Sequence, residues 1–123
     1  MKPGKYRDIL VFMAIACLIT ISFFPLFRAD FLDWDDLDYV KNNPSVQSFS
    51  LENLKAYFST SYLGNYHPLT MLSYLLDYLA GKGQPFLFHT TNVLLHVFNS
   101  CLVYVLLKSV TNRINIPIIT VLL

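Results

Sequence analysis

Two apolar runs bracket a mixed stretch rich in aromatic and acidic residues. From Ile9 to Phe27, 19 consecutive residues carry no charge, and from Gly83 to Leu107 another 25 carry none. At ~1.5 Å rise the first run covers about 28 Å, close to the ~30 Å of bilayer hydrocarbon. The pattern predicts transmembrane helices over 9–27 and 85–107, with residues 1–8 as an N-terminal tail and 28–84 as a connecting loop. After a basic turn at 108–113, the apolar run at 114–123 reads as the start of a third helix, too short to cross. The expected fold class is all-α integral membrane: two complete transmembrane helices, the start of a third, and a large outer loop containing short amphipathic helices.

Within the loop the period changes. Asn42-Asn43-Pro44-Ser45 reads as a turn, because the residue before proline avoids the helical region and asparagine tolerates unusual backbone angles. Leu51, Leu54, Tyr57 and Phe58 then recur at helical spacing behind Ser50, a candidate N-cap. A better marked helix starts at Pro68 and ends near Gly81, with Leu69, Leu72, Leu75, Leu76 and Leu79 on one stripe. About thirteen residues reach roughly 20 Å, short for a crossing, so this helix is expected in the interface plane with Tyr74 and Tyr78 at headgroup level. The alternative is a loop helix packed on a small core of its own. More than half of the chain's 19 aromatic residues lie in the loop, too many for a solvated linker.

Charge supplies the orientation. Lys2, Lys5 and Arg7 precede the first run and Lys108 and Arg113 follow the second, which places both ends in the cytoplasm and the loop outside. From Arg28 to Lys82 seven acidic residues face four basic ones, a balance of −3 that suits a translocated segment. The chain is 54% hydrophobic with a mean hydropathy of +0.47, which argues for membrane lipids as surroundings, in a bacterial inner membrane or an endoplasmic-reticulum membrane. Its overall charge of +1 gives no reason to expect a nucleic-acid partner. A cleaved secretory signal has a shorter apolar core and a small-x-small site, whereas this run ends Phe24-Pro25-Leu26-Phe27-Arg28. Cys17 and Cys101 both fall mid-span, where packing is the ordinary role.

The second span carries His89, Asn92, His96 and Asn99 at spacings of 3, 4 and 3, which share one helical face. Polar groups in hydrocarbon are costly, so the stripe is expected to face a bundle interior or a wet cavity. Two histidines seven residues apart are ~10 Å apart, too far to grip one ion unaided. Interhelical hydrogen bonds are one role; contact of His89, and of His67 in the loop, with a phosphate or sugar is the other.

Just after the first run comes the acidic segment, with Asp30, Asp33, Asp35, Asp36 and Asp38 interleaved with Phe31, Leu32, Trp34 and Leu37. A solvated acidic turn is the plain reading. Burial by the interleaved apolar residues would instead raise a carboxylate toward neutrality and improve it as a general base. In an extended segment Asp35 and Asp36 would point opposite ways and take different roles.

Three blocks carry a resemblance: Trp34-Asp35-Asp36-Leu37-Asp38-Tyr39-Val40-Lys41-Asn42-Asn43-Pro44, then Tyr66-His67-Pro68-Leu69-Thr70-Met71-Leu72-Ser73-Tyr74, then Phe88 to Asn99. In this order they resemble the N-terminal part of polytopic GT-C type glycosyltransferases, the protein O-mannosyltransferase-like proteins that carry C-terminal tetratricopeptide repeats. The resemblance implies a truncated GT-C fold and an enzyme that moves a mannose-like sugar from a polyprenyl-phosphate carrier to a hydroxyl acceptor, such as a protein, on the outer face. Asp35 and Asp36 match the family's acidic pair: Asp35 is the candidate base, and Asp36 the candidate to orient substrate or bind a divalent cation, a cofactor left open. His67, His89 and Asn92 are candidate substrate contacts. Without the later helices the fragment is expected to be inactive. The competing function is a non-enzymatic membrane scaffold or small subunit that binds a partner through its aromatic loop; a transporter element is disfavoured because the stripe has no ionisable group besides histidine.

Overall fold

A computed structural model describes residues 3–111 and is all-helical, with no strand among them. The expected third helix at 114–123 lies outside the described residues. The order is α1 (Pro3–Ser22), a 3-10 turn (Phe24–Arg28), a π-helical turn (Leu37–Lys41), α2 (Pro44–Gln47), α3 (Leu51–Ser59), α4 (Pro68–Gly81) and α5 (Pro85–Val110). Two compact units share this chain: residues 26–91, and residues 1–25 with 92–123. Helix α5 contributes its first seven residues to the former and the rest to the latter.

Among the described residues only α5 is long and apolar enough to cross a membrane by itself. Its 26 residues reach about 39 Å at helical rise. The expected single helix over 9–27 is not what forms. Helix α1 starts six residues earlier, taking in Lys5, Arg7 and Asp8, and stops at Ser22; the rest of the apolar run continues as the 3-10 turn. Pro25 is the cause, since it has no N–H to donate and its ring crowds the carbonyl four residues back.

In the unit of chain ends, α1 and the later part of α5 run antiparallel. Near one end the Asp8 carboxylate accepts a hydrogen bond from Tyr104 Oη at 2.9 Å and forms an ion pair with Lys108. Phe12 meets the Tyr104 ring edge-on at 5.5 Å, and Phe23 meets His96 likewise at 5.4 Å. Ile15, Val93 and Tyr104 are the buried residues of this pair.

The other unit has the small core that the loop reading kept as its alternative. Val46, Tyr57, Met71 and Leu75 are buried together where α2, α3 and α4 meet. The expected leucine stripe therefore splits: Leu75 is buried and Leu72 half-buried, while Leu69, Leu76 and Leu79 stay exposed. Met71 and Leu75, four apart, form the core-facing side. The predicted turn at 42–45 is a helix start instead. Asn43 caps α2, its Oδ1 accepting from the Ser45 N–H at 3.1 Å and from Ser45 Oγ at 2.7 Å, and its Nδ2 donating to the Tyr39 carbonyl. Ser50 caps α3 as expected, accepting from the Asn53 N–H at 2.9 Å. After α4 the chain reverses through Lys82 (φ 51°) and Gly83 (φ 75°). A Cβ at Gly83 would sit 2.9 Å from the Tyr78 ring, so both backbone angle and space call for glycine.

Candidate functional site: a groove over Asp35

The acidic segment is helical rather than extended at its centre. Asp35 and Asp36 begin a helical turn that widens into the π-turn, where the Asn42 N–H donates to the Leu37 carbonyl at 2.7 Å. Adjacent residues on a helix point ~100° apart, so the two carboxylates still diverge. Asp36 turns back and accepts from the Leu32 N–H at 2.9 Å, and Asp30 accepts from the Phe31 N–H at 2.8 Å. These two acids hold their own backbone. Asp35 is exposed and makes no hydrogen bond or ion pair among the described residues. Two of the interleaved apolar residues leave the acids open, against the burial set beside the plain reading of a solvated turn: Trp34 is 82% and Leu32 73% exposed. Phe31 does pack, edge-on against Phe88 at 5.2 Å, with Lys41 Nζ 5.5 Å from its ring centre.

Asp35 and His67 line one open groove of about 460 Å³, together with Tyr39, Asn65, Thr70 and Tyr74. Each element holds its contribution differently. The π-turn carries Tyr39, whose ring meets His67 edge-on at 5.1 Å and Tyr74 at 6.5 Å. A tight reversal through Leu63 (φ 48°) and Gly64 (φ 81°) carries Asn65, whose Nδ2 donates to Tyr39 Oη at 3.1 Å. Positive φ at both central residues is the requirement of such a two-residue turn, and a leucine there is strained. His67 precedes Pro68 as the cap residue of α4, its carbonyl accepting from the Thr70 and Met71 N–H groups at 3.1 Å. The first turn of α4 thus delivers Thr70 and the next Tyr74. The imidazole Nδ1 of His67 is buried with no hydrogen-bond partner.

Of the five candidates from the sequence, the groove brings together Asp35 and His67. Asp36 is not among its lining residues. His89 packs near Phe31, ring centres 6.5 Å apart, with a buried, unpartnered Nε2. Asn92 is exposed and belongs to the other unit. Along α5 the buried positions are Phe88, Val93 and Tyr104, while Asn92, His96 and Asn99 are exposed, so the polar stripe does not face an interior formed by the described residues. No group of three or more His, Cys, Asp or Glu side chains among the described residues is arranged to hold a metal ion.

The buried carboxylate of this unit is one that sequence reasoning did not single out as chemistry. Asp77 on α4 is 9% exposed, and Thr91 Oγ1 on α5 donates to its Oδ1 at 2.6 Å. Burial pushes Asp77 above the ordinary aspartate range, and the threonine hydrogen bond opposes that rise. A lone acid in a leucine-rich helix, facing a threonine at the head of an apolar run, was the available signal. Thr70 and Tyr74 carried no signal for chemistry beyond their place in the second block, and Asn65, just before that block, carried none. No known protein family, characterised protein or solved structure matches the chain.

Proposed function

We propose that this chain is the N-terminal part of a GT-C type membrane glycosyltransferase, in which the groove over Asp35 receives a hydroxyl acceptor on the outer face. Both apolar runs cross the membrane in this reading, α1 together with the 3-10 turn, and the basic residues at the two ends stay in the cytoplasm. The observation that carries the proposal is the meeting of Asp35 and His67, which belong to separate blocks of the sequence, in one groove whose carboxylate is unspent. An uncommitted, solvent-reached carboxylate is what a hydroxyl needs to become a nucleophile. Asp35 takes the proton as the acceptor oxygen bonds to the sugar carbon, and the bond from that carbon to the carrier phosphate breaks with its electron pair leaving on phosphate. Asp36 shapes the loop through Leu32 rather than touching substrate.

The exposed Asn92, His96 and Asn99 support further helices around α5, because in hydrocarbon each needs a polar partner. Exposed Trp34 and Leu32 favour the second reading, a scaffold that docks a partner protein. Radiolabelled sugar transfer by the full-length protein in membranes separates them. Asp35→Asn keeps size and most hydrogen bonding but cannot accept the proton, so transfer should fall ~100-fold or more with abundance unchanged. Normal turnover by Asp35→Asn would remove Asp35 as the base, and no transfer by the unmutated protein from any polyprenyl-phosphate sugar would favour the scaffold.

A further inference from the structure

The sequence pattern puts Tyr74 at lipid headgroup level, yet in the structure it is half-buried in the groove wall. Its ring is packed between Tyr39, 6.5 Å away, and Phe88, 6.0 Å away, the latter only 5% exposed. A tyrosine wedged between two rings has little rotamer freedom left, so its hydroxyl direction is set before any ligand arrives. Two neighbouring donors are already engaged: Tyr66 Oη donates to the Phe58 carbonyl at 3.2 Å, and Asn65 Nδ2 to Tyr39 Oη at 3.1 Å. The Tyr74 hydroxyl has no hydrogen-bond partner among the described residues.

We propose that the Tyr74 phenol is a substrate-holding donor in this groove, presenting its O–H to an oxygen of the acceptor while Asp35 faces the reacting hydroxyl. The assignment rests on the transferase reading above and deepens it. Burial holds the phenol above its usual range, with Asp36, Tyr39, Asp35 and Asp77 adding to the rise, so it stays an O–H donor at neutral pH. No lysine or arginine lines the groove. Beside an exposed carboxylate, a neutral donor of this kind suits an uncharged hydroxyl-bearing acceptor rather than a phosphate, which Asp35 would repel.

Tyr74→Phe keeps the ring between Tyr39 and Phe88 and deletes only the hydroxyl. In the full-length protein the KM for the acceptor should rise about 3- to 10-fold, the loss expected for one hydrogen bond, while kcat and the KM for the polyprenyl-phosphate sugar stay within about twofold. The thermal midpoint should not move. An unchanged acceptor KM overturns the proposal, as does a rise accompanied by a lower thermal midpoint, which would make Tyr74 a packing residue. Asp35→Asn run in parallel keeps the two ideas apart. Inactive Asp35→Asn with normal Tyr74→Phe removes Tyr74 and leaves the transferase; a raised acceptor KM in Tyr74→Phe with fully active Asp35→Asn keeps Tyr74 and removes the base. Absence of any transfer by the unmutated protein overturns both.

Discussion

Replacing Thr91 with valine should expose how α4 is fixed to the head of α5. The two side chains are nearly isosteric, so the change deletes one O–H donor and leaves the Asp77 carboxylate buried without its 2.6 Å partner. A hydrogen bond to a charged group contributes about 1.5–3 kcal/mol, and that is the expected loss for Thr91→Val wherever Asp77 is ionised. Asp77→Asn keeps an oxygen for Thr91 and removes the charge that burial disfavours, so it should be neutral or stabilising near pH 7. In the Asp77→Asn background, Thr91→Val loses only a neutral hydrogen bond, ~0.5–1.5 kcal/mol, which leaves a coupling of about 1 kcal/mol in the double-mutant cycle. The sign with pH follows from burial. With Asp77 raised above 3.8, the folded protein binds more protons than the unfolded chain between 3.8 and the raised value. Its contribution to stability is therefore greatest at low pH and declines as pH rises through the folded pKa. Thr91→Val should extend that decline to higher pH, and Asp77→Asn should abolish it. Denaturation of detergent-solubilised protein followed by helical circular dichroism, from about pH 4 to 8, gives all four values. A cycle that closes to zero, or an Asp77→Asn protein less stable than the parent at neutral pH, would refute the role given to this carboxylate.

The topology can be read from Ser61, an exposed position between α3 and α4. Ser61→Cys, in a background lacking Cys17 and Cys101, should react with a membrane-impermeant thiol reagent in intact cells, and reaction only after lysis would invert the orientation. On the proposed reading, in which further helices cover that polar face, combined Asn92→Leu, His96→Leu and Asn99→Leu should lower the abundance or activity of the full-length protein more than changes at Leu94, Leu102 and Leu106. Equal tolerance of both sets would make the stripe incidental.

Local signals were the legible part of this fold. Ser50 before α3 and Pro68 at the head of α4 both mark helix starts that formed, and the second apolar run formed α5 from Pro85. Two misreadings came from letting one signal override another. The length of the uncharged run argued for one helix through Phe27, although Pro25 within it cannot donate to the helix ladder, and the break falls just before that proline. The five leucines of α4 looked like a single apolar side, but Met71 and Leu75 turn to the core while Leu69, Leu76 and Leu79 do not. Period alone specifies that a helix has an apolar face. Which part of a wide face is buried depends on where α2 and α3 lie, and that is set by contacts distant in sequence. Asn43-Pro44 carried the cap-and-proline signal of a helix start, but the same residues also suit a turn, the element expected from the sequence; in the structure Asn43 caps α2 and its amide reaches the Tyr39 carbonyl.

At the candidate site, the acidic residues were conspicuous in the sequence but their division of labour was not. Composition alone makes Asp30, Asp33, Asp35, Asp36 and Asp38 equivalent. The fold separates them by which backbone N–H groups come near: Leu32 turns back on Asp36 and Phe31 on Asp30, so those carboxylates are taken up locally. Asp33, Asp35 and Asp38 are left without a hydrogen-bond partner among the described residues, and of these three only Asp35 lines the groove walled by Tyr39, His67 and Tyr74. That wall is assembled from the π-turn and the first two turns of α4, whose closeness depends on the Val46, Tyr57, Met71 and Leu75 core rather than on any motif. The surroundings of Asp35 are thus tied to packing some residues away. Loosening that core displaces His67 and Tyr74 relative to the carboxylate before it touches the carboxylate itself. On the transferase reading proposed above, an engineered change in the core would register first in how tightly the acceptor is held and only later in the proton transfer, the order expected of a site whose base stands on a local turn and whose binding wall stands on tertiary structure.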